Sequence, residues 1–109
     1  MVNVGLQVRL EAKPGKEKDL EEFLRAQLPY ALGEPATVAW FAIKFSANTF
    51  GIFDAFVNES GQQAHLDGAI AKALGEVAAD LLAKPPVIEK LTVLVAKLPG
   101  SGEVPDSLG

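Results

Sequence analysis

The chain has one histidine, His65, and no cysteine. Imidazole is the side chain whose unperturbed pKa lies closest to neutrality, so His65 is the natural candidate for a general base. Asp54 interrupts the apolar run TFGIFDAF, where a carboxylate is costly unless something neutralises it. Two uses are open to it: it can hold His65 or bind a substrate, or it can pair with Arg9 or Lys44 on neighbouring strands. His65 likewise has two readings. It is either a proton acceptor or a half-buried structural ring on the shoulder of an apolar stripe, next to Leu66. Trp40, Phe41, Phe50, Phe53 and Phe56 crowd the same stretch and would wall an aromatic pocket, or simply fill the core. Asn48 could offer its amide to a substrate oxygen, although a polar residue in a hairpin connection also follows from turn chemistry. Tyr30, just after Pro29, is placed to close the mouth of such a pocket. The chemistry within reach of an imidazole beside a carboxylate is proton transfer.

Those residues need elements to position them. Val4, Leu6, Val8, Leu10 and Ala12 alternate with Gly5, Gln7, Arg9, Glu11 and Lys13, the period of a strand with one apolar face. Pro14 and Gly15 end it. Residues 16–28 then place Leu20, Phe23, Leu24 and Leu28 on one stripe, while Lys18/Glu22 and Glu21/Arg25 pair four apart on the wet side of a helix. Pro29 predicts a break, with an irregular turn over 30–34 before Pro35. Two runs of aromatic and β-branched residues, 38–45 and 50–57, flank Ser46, Ala47, Asn48 and Thr49, which predicts a β-hairpin. Asn58 is a good N-cap type and opens a helical region over 58–82, with Leu66, Ile70, Ala73, Leu74, Val77 and Leu81 in its stripe. Gly68 and Gly75 predict its division into shorter helices, and Pro85 and Pro86 its end. A last strand is expected over 87–98.

The order β, α, β, β, α, β is that of an α+β, ferredoxin-like domain: four antiparallel strands with helices on one face. One such domain over 1–98 accounts for the chain, and the Gly-, Pro-, Ser- and acid-rich stretch 99–109 reads as a flexible tail. The hairpin strands and the last strand are apolar on both faces, which asks for cover on both. Helices supply one cover, and a second copy of the chain is the simplest source of the other, so a homodimer is expected.

Composition removes several function classes. A net charge of −4, with ten basic residues scattered among acidic ones, leaves no basic stripe for nucleic acid. A lone histidine without cysteine rules out a His- or Cys-based metal cluster within one chain. No G-x-G-x-x-G links a strand to a helix, so a nicotinamide or flavin site of that type is not indicated. The start of the chain lacks a basic then apolar leader, and the apolar runs fall short of the roughly 20 residues of a membrane span, so a cytoplasmic protein without a membrane partner is expected.

Taken together, KPGKEKDLEEFLR, TVAWFAIKF followed by TFGIFDAF, QQAHL, and IEKLTVLVAKLP resemble the antibiotic biosynthesis monooxygenase domain, in particular its small quinol-monooxygenase-like members. The resemblance runs from Gly5 to Pro99. It implies a dimeric α+β barrel and oxidation of a phenolic or quinol-type substrate by molecular oxygen, with no cofactor. It also favours a working role for His65, because such domains often carry a histidine on the second helix. Loss of a proton makes a hydroquinone electron-rich enough to pass an electron to oxygen, so the protein must supply a dry pocket, a base and a hydrogen-bond donor. A haem-degrading branch of the same superfamily uses a tryptophan on its third strand. Here that strand carries phenylalanines, and Trp40 lies on the second.

Overall fold

A computed structural model of the chain describes residues 1–99. Apart from Pro99, the expected tail at 99–109 lies outside the described residues. The elements are β1 (Val4–Glu11), α1 (Glu17–Arg25), α2 (Leu28–Leu32), β2 (Thr37–Lys44), β3 (Thr49–Phe56), α3 (Glu59–Leu66), α4 (Ala69–Leu81) and β4 (Val87–Thr92). They form one antiparallel sheet in the order β2-β3-β1-β4, the ferredoxin-like α+β topology that the element order implies.

The strand period decides which side chains meet the helices. In β1 and β3 the pairs Leu6↔Asp54, Val8↔Ile52 and Leu10↔Phe50 share one face. Val8, Leu10, Phe50 and Ile52 pack there with Leu20 and Leu24 of α1 and Leu74 and Leu81 of α4. Each such side chain removed from water contributes about 1.5–3 kcal/mol, and this layer is the core. Gly5 occupies the opposite face of β1. A Cβ on it would fall 2.8 Å from the carbonyl oxygen of Asp54, so only glycine lets β1 and β3 approach this closely beside Asp54.

Three expectations are corrected. The break near Pro29 falls earlier, after Arg25, and the expected irregular turn is the short helix α2. Pro29 sits in the first turn of that helix, where its missing N–H costs nothing. The last strand stops at Thr92 rather than 98 because its partner runs out: Thr92 pairs with Val4, the first residue of β1. Only the Val93 N–H to Asn3 carbonyl bond extends the ladder, and Leu94 and Val95 are exposed. The second helical region divides at Gly68, as its glycine predicts, whereas Gly75 stays inside α4. No helix among the described residues is long and apolar enough to cross a membrane.

Candidate functional site

Three separate stretches deliver three titratable side chains to one point. β3 contributes Asp54, α3 contributes His65, and the turn between α2 and β2 contributes Glu34. The start of α3 is fixed by Asn58, whose side chain accepts from the Gly61 N–H at 3.0 Å. One turn on, Gln62 donates its side-chain N–H to the Gly5 carbonyl at 2.8 Å and ties the helix to β1. His65 follows Gln62 by three positions and so lies on the same side of α3, facing the sheet. Glu34 is held by Thr37, whose hydroxyl donates to Glu34 Oε1 at 2.7 Å.

The imidazole bridges the two carboxylates. Its Nδ1 is 2.6 Å from Glu34 Oε1, and its Nε2 is 2.8 Å from Asp54 Oδ2. The ring leans on Phe56, with centroids 5.4 Å apart and planes at 44°. Asp54 is completely buried and His65 nearly so, while Glu34 keeps an edge toward solvent. With a carboxylate against each nitrogen, hydrogen-bonded at Nδ1 and ion-paired at Nε2, the ring is held as an imidazolium. Burial disfavours that charge, but the close contacts with and the charges of Asp54 and Glu34 outweigh the penalty, and the His65 pKa is raised above its ordinary 6.5.

This shift has a sign in stability. Below pH 6.5 the ring is protonated whether the chain is folded or not, and the clamp contributes fully; as pH rises through the higher folded-state value, that contribution is lost. Urea unfolding at a series of pH values is expected to show stability falling as pH rises above 6.5, by a step that a His65→Gln variant lacks. An identical profile in the variant would remove His65 from the account.

Two further features mark the sheet side of this cluster. The Nε2 to Oδ2 approach lies off the ring N–H direction, so it is a close ion pair, and neither Asp54 oxygen receives an aligned hydrogen bond among the described residues. Directly opposite Asp54 in the β2–β3 register stands Trp40, whose buried indole N–H also lacks a partner there.

The structure therefore brings together Asp54, His65, Trp40 and Phe56 from the sequence reading and separates the others. Arg9 and Lys44 do not pair with Asp54: Arg9 lies 4.1 Å over the Phe45 ring, and Lys44 reaches Glu21 at 3.4 Å. Phe41 and Phe53 stack on each other, with centroids 6.3 Å apart, on the face of the sheet away from the helices and so away from His65. Asn48 is spent on the hairpin turn, accepting from Ser46 and Thr49. Tyr30 projects from α2 and is mostly exposed. Phe50 belongs to the core and floors a cleft of about 350 Å³ between α1 and β2, lined also by Glu21, Leu24, Arg25, Ala42, Ile43 and Lys44. Trp40 lies two residues before Ala42 on that face of β2, and neither Trp40 nor Asp54 lines the cleft. Sequence reasoning missed Glu34, which is 31 residues from His65 and sits between Gly33 and Pro35 in a turn where an acidic residue carries no signal.

No family model and no curated protein matches the chain. Among solved structures it is similar to a protein of unknown function from Nitrosomonas europaea, with 57% identity, 91% of this chain and 96% of that one covered, and a TM-score of 0.90. It is also similar to a candidate antibiotic biosynthesis monooxygenase from Nitrosomonas europaea, at 18% identity over 84% of this chain and 99% of that one, with a TM-score of 0.76. A second such candidate, from Caulobacter crescentus, is 18% identical over 86% of this chain and 92% of its own, with a TM-score of 0.74. At that identity the last two likenesses show a shared fold.

Proposed function

This chain belongs to one family with the Nitrosomonas europaea protein of unknown function and has the fold of the candidate antibiotic biosynthesis monooxygenases, and from that premise we propose that it is a cofactor-free monooxygenase of a small phenolic or quinol-type aromatic. The observation that carries this reading is the buried Asp54 carboxylate, unsatisfied by any aligned donor and backed by the His65 imidazolium. An imidazolium engaged at both nitrogens is a poor base. The acceptor on offer is the carboxylate, with His65 as the counter-charge that keeps it in place and Glu34 as the group that holds His65.

In this mechanism the phenolic proton passes to Asp54, and the phenolate gives one electron to dioxygen. Superoxide then joins the phenoxyl radical at a ring carbon bearing hydrogen, Asp54 returns its proton to the resulting peroxide, and loss of water from the hydroperoxide leaves a quinone and an ionised Asp54. One oxygen atom ends in the product and the other in water. The low-polarity surroundings, Phe56 beside the imidazole and the core behind Asp54, keep the intermediates from bulk solvent. We further propose that two copies pack sheet to sheet through the faces bearing Phe41 and Phe53, a reading that the exposed Phe41 on that face supports.

Oxygen uptake with a panel of dihydroxynaphthalenes and quinols tests the reading. The native protein is expected to consume oxygen, and Asp54→Asn to lower kcat by about 10²–10⁴-fold, the range of a positioned proton acceptor. Isomer formation without oxygen uptake would instead point to a proton-transfer isomerase. Ligand binding with neither oxygen uptake nor isomer formation would point to a small-molecule-binding protein of the same fold.

A further inference from the structure

Buried polar groups in folded proteins are nearly all satisfied, because each orphan costs about 1–3 kcal/mol. Two atoms in register on one face, Trp40 Nε1 and Asp54 Oδ1, have no partner among the described residues and therefore call for an explanation, Oδ2 being ion-paired with His65. The Trp40 indole can only donate, and an ionised Asp54 can only accept. They stand directly opposite each other on β2 and β3, where Cβ atoms are about 4.5–5.5 Å apart, yet they are not bonded to each other. We propose that Trp40 Nε1 and the Asp54 carboxylate together form a recognition site for a single hydroxyl group on the aromatic ligand, whose oxygen accepts from the indole while its hydrogen is donated to the carboxylate.

This inference rests on the oxygenase reading for the identity of the ligand but not for the existence of the site. Chemistry narrows what fits. A ketone accepts from Trp40 but gives Asp54 nothing, and an ammonium does the reverse. An anionic ligand is repelled, because two carboxylates surround one imidazolium and the cluster carries net negative charge. A neutral phenol satisfies both partners. Its quinone product does not: the new carbonyl oxygen faces the carboxylate without a proton between them. The same two atoms thus select the reduced substrate and release the oxidised product. Trp40 is then the hydrogen-bond donor that the reaction requires, in place of Asn48, which stands in the hairpin turn six residues before Asp54.

Trp40 is the one tryptophan of the chain, so its indole N–H gives a single assignable signal in a ¹H–¹⁵N spectrum of labelled protein. The probes are 1-naphthol, 1-methoxynaphthalene and 1,4-naphthoquinone, each titrated into the full chain. The naphthol is expected to shift the indole signal and to bind at least about tenfold more tightly than the ether or the quinone, the discrimination that one unpaired buried acceptor imposes. Trp40→Phe is expected to reduce that preference, and the native ligand series stands as the test even if the variant folds poorly. Ether and naphthol affinities within about twofold of each other would overturn the proposal. So would naphthol binding that leaves the indole signal in place, or no binding at all. Selective binding with no oxygen uptake would keep the hydroxyl site and overturn the oxygenase reading, whereas oxygen uptake without hydroxyl selectivity would do the opposite.

Discussion

Exchanging His65 for leucine is expected to destabilise the fold by about 3–5 kcal/mol, a large part of the roughly 5–15 kcal/mol that holds a domain of this size together. The reason is not the ring's own contacts. Asp54 has a side-chain exposure of 1% and no other cation near it among the described residues, so removing the imidazolium leaves a carboxylate in the core without its counter-charge. Glu34, at 22%, can turn toward solvent and suffers less. The double variant His65→Leu with Asp54→Leu is therefore expected to recover most of the loss, since an apolar pair of fitting volume commonly matches or exceeds a buried ion pair. Urea denaturation of the two single variants and the double gives the coupling directly. A His65→Leu cost under about 1 kcal/mol, or additive single effects, would mean that Asp54 is not held by His65.

Much of this arrangement is legible in the residues. The alternation from Val4 to Ala12, the hairpin around Asn48, the N-cap at Asn58 and the break at Gly68 are local signals, and the structure follows them. The pairing of Asp54 with His65 is one of two readings open to Asp54, and burial decides between them. What the residues hide is which face of the sheet the helices cover. Both faces are apolar, so composition groups Phe41 and Phe53 with Trp40 and Phe56 as one pocket. Strand parity divides them: Phe53 precedes Asp54 in β3 and so leaves the sheet on the other side. Glu34 is hidden for a different reason. Its role depends on a turn brought to α3 only by tertiary packing, and no periodicity announces such a contact.

The face that parity assigns to Phe41 and Phe53 leads to the second large effect, on the dimer proposed above: Phe41→Asp is expected to abolish self-association of the chain. Phe41 is 51% exposed in the single chain despite its stack with Phe53, and Phe45, lying over Gly51, is 45% exposed. Large aromatic rings on a sheet face are left this open when another surface covers them, and two twisted sheets packing face to face supply such a surface. A carboxylate placed at the centre of that contact would be desolvated without a partner in both copies, which raises the dimer dissociation constant by at least about a hundredfold. Sedimentation equilibrium of the native protein and Phe41→Asp, with Lys18→Asp on the wet side of α1 as a control for added charge, reads this directly. A native chain that stays monomeric well above micromolar concentration would end the dimer proposal. Because Asp54, His65 and Trp40 lie on the helix-covered face, the monomeric variant is expected to keep its naphthol affinity within a few-fold, as judged by the same indole signal. A large loss would mean instead that the second copy completes the site from across the sheet.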